Sequence, residues 1–201
     1  MTTDPMPVDQ RLARGARTRR TITRHAVDVA SMEGLNGLSL GRLATDLGLS
    51  KSGVATLFRT KEQLQLATVE TAREAFLEAV VRPASDTPPG AARLRELTER
   101  WISYAEQPLF PGGCFWAANL PEFDSRTGPL RDALRRQHRS WLGLLADQVR
   151  HAADAGEIAG LDADLAAFQI DAVLTAANLA MRLGEPRAGE KVRRVIEGLL
   201  T

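Results

Sequence analysis

LGRLATDLGLSKSGVATLF, residues Leu40–Phe58, carries small and apolar side chains at Leu43, Ala44, Leu47, Gly48, Leu49 and Val54. That spacing is what two short helices need to cross at a tight turn. Ala44 is small where the second helix must pass the first, and Gly48 stands at the turn, where a left-handed backbone is easiest. Leu43, Leu47, Leu49 and Val54 fill the wedge, and Ser50 is placed to accept a backbone N–H and cap the second helix. Lys51, Ser52, Ala55, Thr56 and Arg59 are then left facing outward, small or basic side chains suited to a groove of DNA. The stretch reads as a helix-turn-helix.

A chain of 201 residues with 44% hydrophobic residues holds a packed core in one medium domain, or in a small one attached to a larger. No run of about 18 apolar residues is present, so no membrane span is expected. The start, MTTDPMPVDQ, lacks the basic-then-apolar order of an export signal. Cys114 is the only cysteine, which rules out an intrachain disulfide and fits a reducing, cytoplasmic setting. His25, His138 and His151 are too scattered for a metal site, and no cofactor is expected. The net charge of +1 hides an asymmetry: from Gln10 to Lys61, ten Arg and Lys stand against Asp28, Glu33 and Asp46. A basic head on an acidic body points to a polyanion at the head.

Outward from the central stretch, the pattern predicts helices throughout and no strand. Residues 1–16 read as a disordered basic leader, 17–62 as the DNA-binding unit and 63–201 as a helical body. Arg11, Arg14, Arg17, Arg19, Arg20 and Arg24 form an acid-free run leading into the head, able to pair with phosphates or simply to be solvated. A first helix is expected from Thr18 to Met32, ended by Gly34, and Ser39 caps the second. Thr60 to Gln63 reads as a capping box opening a helix to Arg82, roughly 35 Å long at about 1.5 Å per residue. Further helices are expected at 91–107, 114–120, from Pro129 to Gly156, at 163–183 and at 190–200. The fold class is all-α, a three-helix head joined to a larger helical ligand-binding and dimerisation body.

The order of a first helix, then GLNGLSLGRLATDLGLSKSGVATLFRTKEQL, then a helical body resembles the TetR/AcrR family of one-component transcriptional regulators. The match is carried by Gly48-Leu49-Ser50-Lys51, Phe58 and Lys61-Glu62-Gln63-Leu64, and covers roughly Arg17 to Leu66. Pro111-Gly112-Gly113-Cys114 resembles a branch of AcrR-like members. One departure is Ala55, where members usually carry an aromatic residue that rests on the DNA backbone. The resemblance implies a homodimer built through the last two helices of each subunit. The 163–183 segment supports this on its own, being apolar nearly all round.

Lys51, Ser52, Ala55 and Thr56 are the candidate base-edge readers, and Ser39, Arg42, Thr60 and Lys61 the candidate phosphate binders, each at or near a helix N-terminus. Ser39, Ser50 and Thr60 serve equally as caps. In the body, Trp101, Tyr104, Phe110, Phe115, Trp116, Phe123, Trp141 and Phe168 hold most of the aromatic rings. With Asn119, His138, Asp171, Thr175 and Asn178 they are the candidate lining of a pocket for a small hydrophobic inducer. Each ring alone fits plain core packing as well. Cys114 reads as a buried small hydrophobe, with thiol sensing as its alternative.

The function expected is a DNA-binding transcriptional regulator, most simply a repressor released from a palindromic operator by its inducer. No nucleophile elbow, metalloprotease helix, phosphate loop or dinucleotide fingerprint supports the rival reading of a helical enzyme, and no catalytic residue is assigned. A ligand-independent architectural DNA binder is the third reading, opposed by an aromatic-rich body that makes up more than half the chain.

Overall fold

A computed structural model describes residues 8–201, and among these every regular element is helical. Helix α1 spans Val8–Glu33, α2 Leu40–Asp46 and α3 Lys51–Leu57. They are followed by α4 (Lys61–Phe76), α5 (Ala91–Glu106), α6 (Phe115–Phe123), α7 (Pro129–Asp154), α8 (Ala163–Arg182) and α9 (Ala188–Leu199). A single 3₁₀ turn, Leu35–Gly37, joins α1 to α2.

The helix starts follow the capping chemistry of the sequence. Ser39 accepts the Arg42 N–H, Ser50 the Gly53 N–H and Thr60 the Gln63 N–H, while Asp162 accepts two at the start of α8. Gly48 takes φ +62° at the turn between α2 and α3, and Leu49 N–H closes that turn on the Ala44 carbonyl at 2.8 Å. Leu43, Ala44 and Val54 are buried in the wedge, as the spacing requires. Leu49 is not: it sits exposed at the rim, and Leu47 is only half-buried.

One expectation is corrected and a second refined. Helix α1 begins at Val8, not Thr18, so the disordered leader expected over 1–16 is helical from residue 8 onward; residues 1–7 lie outside the described part of the chain. The helix expected as far as Arg82 does run that far, to Ala84, but widens through a π-turn at Leu77–Val81 before a last α-turn, Arg82–Ala84. The widened turn directly precedes Pro83, which has no N–H for the Ala79 carbonyl and whose ring would crowd it in an α-helix.

The buried residues form one continuous cluster running from Ile22 in α1 through α4 to Leu200. Its largest fully buried side chains include Phe58 under the turn and Phe110 and Phe115 in the body. The head is therefore not a separate bead. Helix α1 packs on α2 at one end and on α4 and α6 along its length.

Polar bonds lock the same junction. The wholly buried Asn119 of α6 accepts the Leu35 N–H at 2.8 Å and donates to the carbonyls of Ala30 and Phe115. Gln65 of α4 donates to the Leu35 carbonyl at 2.9 Å. The turn before α6 lies so close to α1 that a Cβ on Gly112 would stand 1.9 Å from the Ser31 carbonyl oxygen. That approach lets the Gly112 N–H reach Ser31 Oγ at 2.9 Å.

Candidate nucleic-acid interface and central cavity

Helix α3 buries only Val54, which turns Lys51, Ser52, Ala55 and Thr56 outward together on one exposed face. The Thr56 hydroxyl donates to the Ser52 carbonyl at 2.9 Å, which fixes its rotamer and leaves its methyl and its oxygen lone pair outward. The helix is held from behind by Arg19 of α1, whose guanidinium lies 4.3 Å from the Phe58 ring centre and donates to the Leu57 carbonyl at 2.8 Å. Arg24 is likewise spent on structure, against Phe110 and the Leu109 carbonyl. Arg14, Arg17 and Arg20 project from exposed positions on α1.

The four phosphate candidates are unequal. Ser39 and Thr60 are exposed with their oxygens occupied as caps. Lys61 is exposed and its ammonium donates to the Asn36 carbonyl at 2.6 Å, so it is pinned beside the 3₁₀ turn at the head's surface. Arg42 is clamped by the Glu33 carboxylate through two hydrogen bonds and lies 3.7 Å from Asp46. That bonding holds the Glu33 carboxyl below its ordinary range and the Arg42 guanidinium above its own. Of the two basic candidates, only Lys61 has no acid paired with it among the described residues.

A cavity of about 330 Å³ lies in the body, between α4, α5, α6, α7 and α8. Phe76, Trp101, Trp116 and Trp141 supply its aromatic walls. Phe76 meets Trp116 at 5.1 Å and Trp141 at 5.4 Å between ring centres, inclined at 63° and 85°. His138 and Asp171 are paired on one wall of it, Nε2 to Oδ2 at 2.8 Å, with Thr175 one turn from Asp171. Two polar atoms on lining residues, Trp116 Nε1 and Gln137 Oε1, are buried with no hydrogen-bond partner among the described residues.

The cavity thus takes in Trp101, Trp116, His138, Trp141, Asp171 and Thr175 of the sequence-based set, and excludes the other seven, among them Phe110, which is wholly buried in the core. Phe115 and Phe123 are turned into the core on the opposite side of α6. Asn119 is spent on the head. The Tyr104 hydroxyl accepts the Phe115 N–H, and burial pushes its phenol well above the ordinary range. Asn178 accepts the Cys114 N–H at 2.9 Å. Phe168 is 65% exposed on the outer face of α8. The reading missed Arg73, Phe76, Leu77 and Val81, which bring α4 and its π-turn to the cavity wall. The signal was present in the apolar spacing of Phe76, Val80 and Val81. Cys114 also lines the cavity, and burial pushes its thiol up, away from the thiolate that sensing needs.

On α8, Leu165, Phe168, Leu179 and Leu183 form an exposed apolar stripe, joined by Val195 on α9. Among the described residues no cluster of His, Cys, Asp and Glu could hold a metal ion, and no helix is long and apolar enough to cross a membrane.

Similarity to known proteins agrees with this architecture. No curated protein sequence matches the chain. A TetR transcriptional regulator from Chloroflexus aurantiacus is 25% identical, with a TM-score of 0.82 over 94% of both chains. A TetR-family regulator from Cytophaga hutchinsonii is 22% identical, with a TM-score of 0.78 over 94% of this chain and 97% of its own. AibR, solved with isovaleryl coenzyme A and operator DNA, is 19% identical, with a TM-score of 0.71 over 90% and 97%. Residues 90–196, more than half the chain, match the family described as the tetracyclin repressor-like C-terminal domain. With a helix-turn-helix at one end and this domain filling the rest, the chain belongs to the TetR family of transcriptional regulators.

Proposed function

We propose that the protein is a homodimeric repressor that leaves a palindromic operator when a small hydrophobic inducer enters the central cavity. The carrying observation is the outward face Lys51–Thr56, presented on a helix braced by Arg19 and Phe58 at the basic end of the chain. Ser52, Ala55 and Thr56 are the base-edge readers, Ala55 through a thymine methyl, and Lys51 spans base and phosphate. Lys61, with the N-termini of α2 and α4 at Ser39 and Thr60, binds phosphate. Arg42 acts chiefly as a strut to Glu33. The exposed stripe on α8 and Val195 on α9 is covered by the same surface of a second subunit, which sets the spacing of the two reading heads. A cavity walled by rings and bordered by few polar groups supports the inducer. AibR, of similar fold, was solved with isovaleryl coenzyme A and operator DNA together, which supports a reading with both partners.

The test is a gel shift on the DNA flanking the protein's own gene, repeated over a salt series. Lys61→Ala should weaken binding to every sequence alike and lower the salt slope by about one unit. Thr56→Ala should relax preference at one base pair, at a cost of about 1–3 kcal/mol there. Equal losses on all sequences for both variants would defeat this division of roles.

A further inference from the structure

The charged groups around the central cavity are not equivalent. Arg73 already bonds Glu70 at 2.9 Å and also borders the open cleft between α4 and α7, so it belongs to the mouth. Among the described residues no Lys or Arg stands against Asp171, which also borders the open groove along α8 with Phe168 and Thr175. Its Oδ2 meets His138, and Oδ1 has no protein donor among the described residues.

Pro121 lies inside α6 and has no N–H for the carbonyl four residues back, which is that of Ala117, and both residues line the cavity. The Gln137 side-chain amide and the Trp116 indole N–H each have a buried polar atom on this wall without a hydrogen-bond partner among the described residues. Phe76, Trp116 and Trp141 line the same space, with both indoles steeply inclined to the Phe76 ring, so the three do not stack as one plane. Aromatic faces carry negative potential and attract a cation, most strongly where water is excluded. A carboxylate in the same place would meet Asp171 and the ring faces.

We propose that the cavity selects an organic ammonium ion with a compact apolar or aromatic body, its charge set between Asp171 and the faces of Trp116 and Trp141. This rests on the reading of the cavity as the inducer site and names the class of inducer. At about 330 Å³ the space is at the small end for ligand pockets, so the body is of the order of one ring.

The test uses three probes of one size: phenyltrimethylammonium, its uncharged isostere tert-butylbenzene, and benzoate. Binding to the full-length protein is read by calorimetry and by quenching of tryptophan fluorescence. The cation should bind about tenfold or more tighter than the neutral isostere, with benzoate weakest. Asp171→Asn should remove that preference while leaving tert-butylbenzene within about threefold. Trp141→Leu, which keeps the carboxylate, should weaken the cation more than the isostere. Equal affinity for cation and isostere, tighter binding of benzoate, no binding of the cation, or an unchanged preference in both variants each overturns the proposal. A gel shift with the same probes separates it from the underlying reading. Asp171-dependent cation binding that leaves DNA affinity untouched would sink the inducer reading alone. Release of DNA by the neutral probe with equal potency in wild type and Asp171→Asn would sink the ammonium assignment alone.

Discussion

Replacing Asn119 by leucine keeps the volume of the side chain and deletes three hydrogen bonds at the junction of head and body. The three losses are unequal. The Ala30 carbonyl retains the Gly34 N–H at 3.1 Å, and the Phe115 carbonyl lies one helical turn before the N–H of residue 119 itself. The Leu35 N–H has no other acceptor among the described residues and lies in a wholly buried setting. Leaving it unmet costs about 1–3 kcal/mol, and the two weaker bonds add about 1 kcal/mol between them, for a total near 3 kcal/mol. At about 2–4 °C per kcal/mol for a chain of this length, Tm should fall by roughly 6–12 °C.

Gln65→Met is the matched control, because it strips the partner of the carbonyl of the same residue, Leu35. The Leu35 carbonyl keeps the Leu38 N–H at 3.3 Å, so the loss should be about 1 kcal/mol, or roughly 2–4 °C. The assay is thermal unfolding followed by circular dichroism, at one fixed protein concentration because subunit association shifts Tm. A fall for Asn119→Leu no larger than that for Gln65→Met would refute the reasoning, since it would mean that Leu35 N–H finds water and the junction is open.

Other substitutions test separate parts of the molecule. Gly112→Ala places a Cβ 1.9 Å from a backbone oxygen and should cost more than Gly48→Ala, which meets nothing within 4 Å and bears only its left-handed φ of +62°, about 1–2 kcal/mol; paired urea melts check the order. Phe168→Glu puts a charge in the middle of the exposed α8 stripe and should turn dimers into monomers in light scattering coupled to gel filtration, with cavity and head unchanged. Burial raises the thiol pKa of Cys114, so it stays protonated until pH climbs above the ordinary thiol range. Iodoacetamide at pH 8 should therefore label the native protein far more slowly than the urea-unfolded chain, and equal rates would contradict the packing.

How much of this was legible in the sequence depends on whether the signal was local. The helix-turn-helix was, because a small residue at 44, a glycine at 48 and caps at 39, 50 and 60 each act within one turn of themselves. The body helices were, because their stripes end in Pro or Gly. The first ten residues of α1 were not: half of the stretch from Val8 to Arg17 is polar or charged, its apolar residues are mostly small, and nothing in it marks a start before Thr18. Cavity membership was half legible. Residue type told which rings and polar groups were available, but not which side of a helix each would take. Asn119 and His138 are both polar residues on body helices, yet one is a strut and the other a wall. That difference is tertiary, set by α1 lying on one side of α6 and the cavity on the other.

That two-sidedness of α6 links the cavity to the head. Trp116, Ala117 and Leu120 border the cavity, while Phe115, Asn119 and Phe123, spaced four apart, face the core, with Asn119 reaching the end of α1. Glu122, one residue before Phe123, accepts the Asn36 N–H in the same turn that the Lys61 ammonium bonds. A ligand that shifts the α6 backbone together with Trp116 would carry Asn119 with it. The displacement then arrives at Leu35 and Asn36, directly before the helix that Ser39 caps. A ligand changes DNA affinity only as far as it favours one position of α6 over another. Asn119→Leu should therefore weaken the coupling between ligand and DNA as well as the fold. Ligand titrations of DNA release should show a smaller shift in operator affinity at saturating ligand than wild type. An undiminished shift would mean that the signal travels through the π-turn of α4 instead.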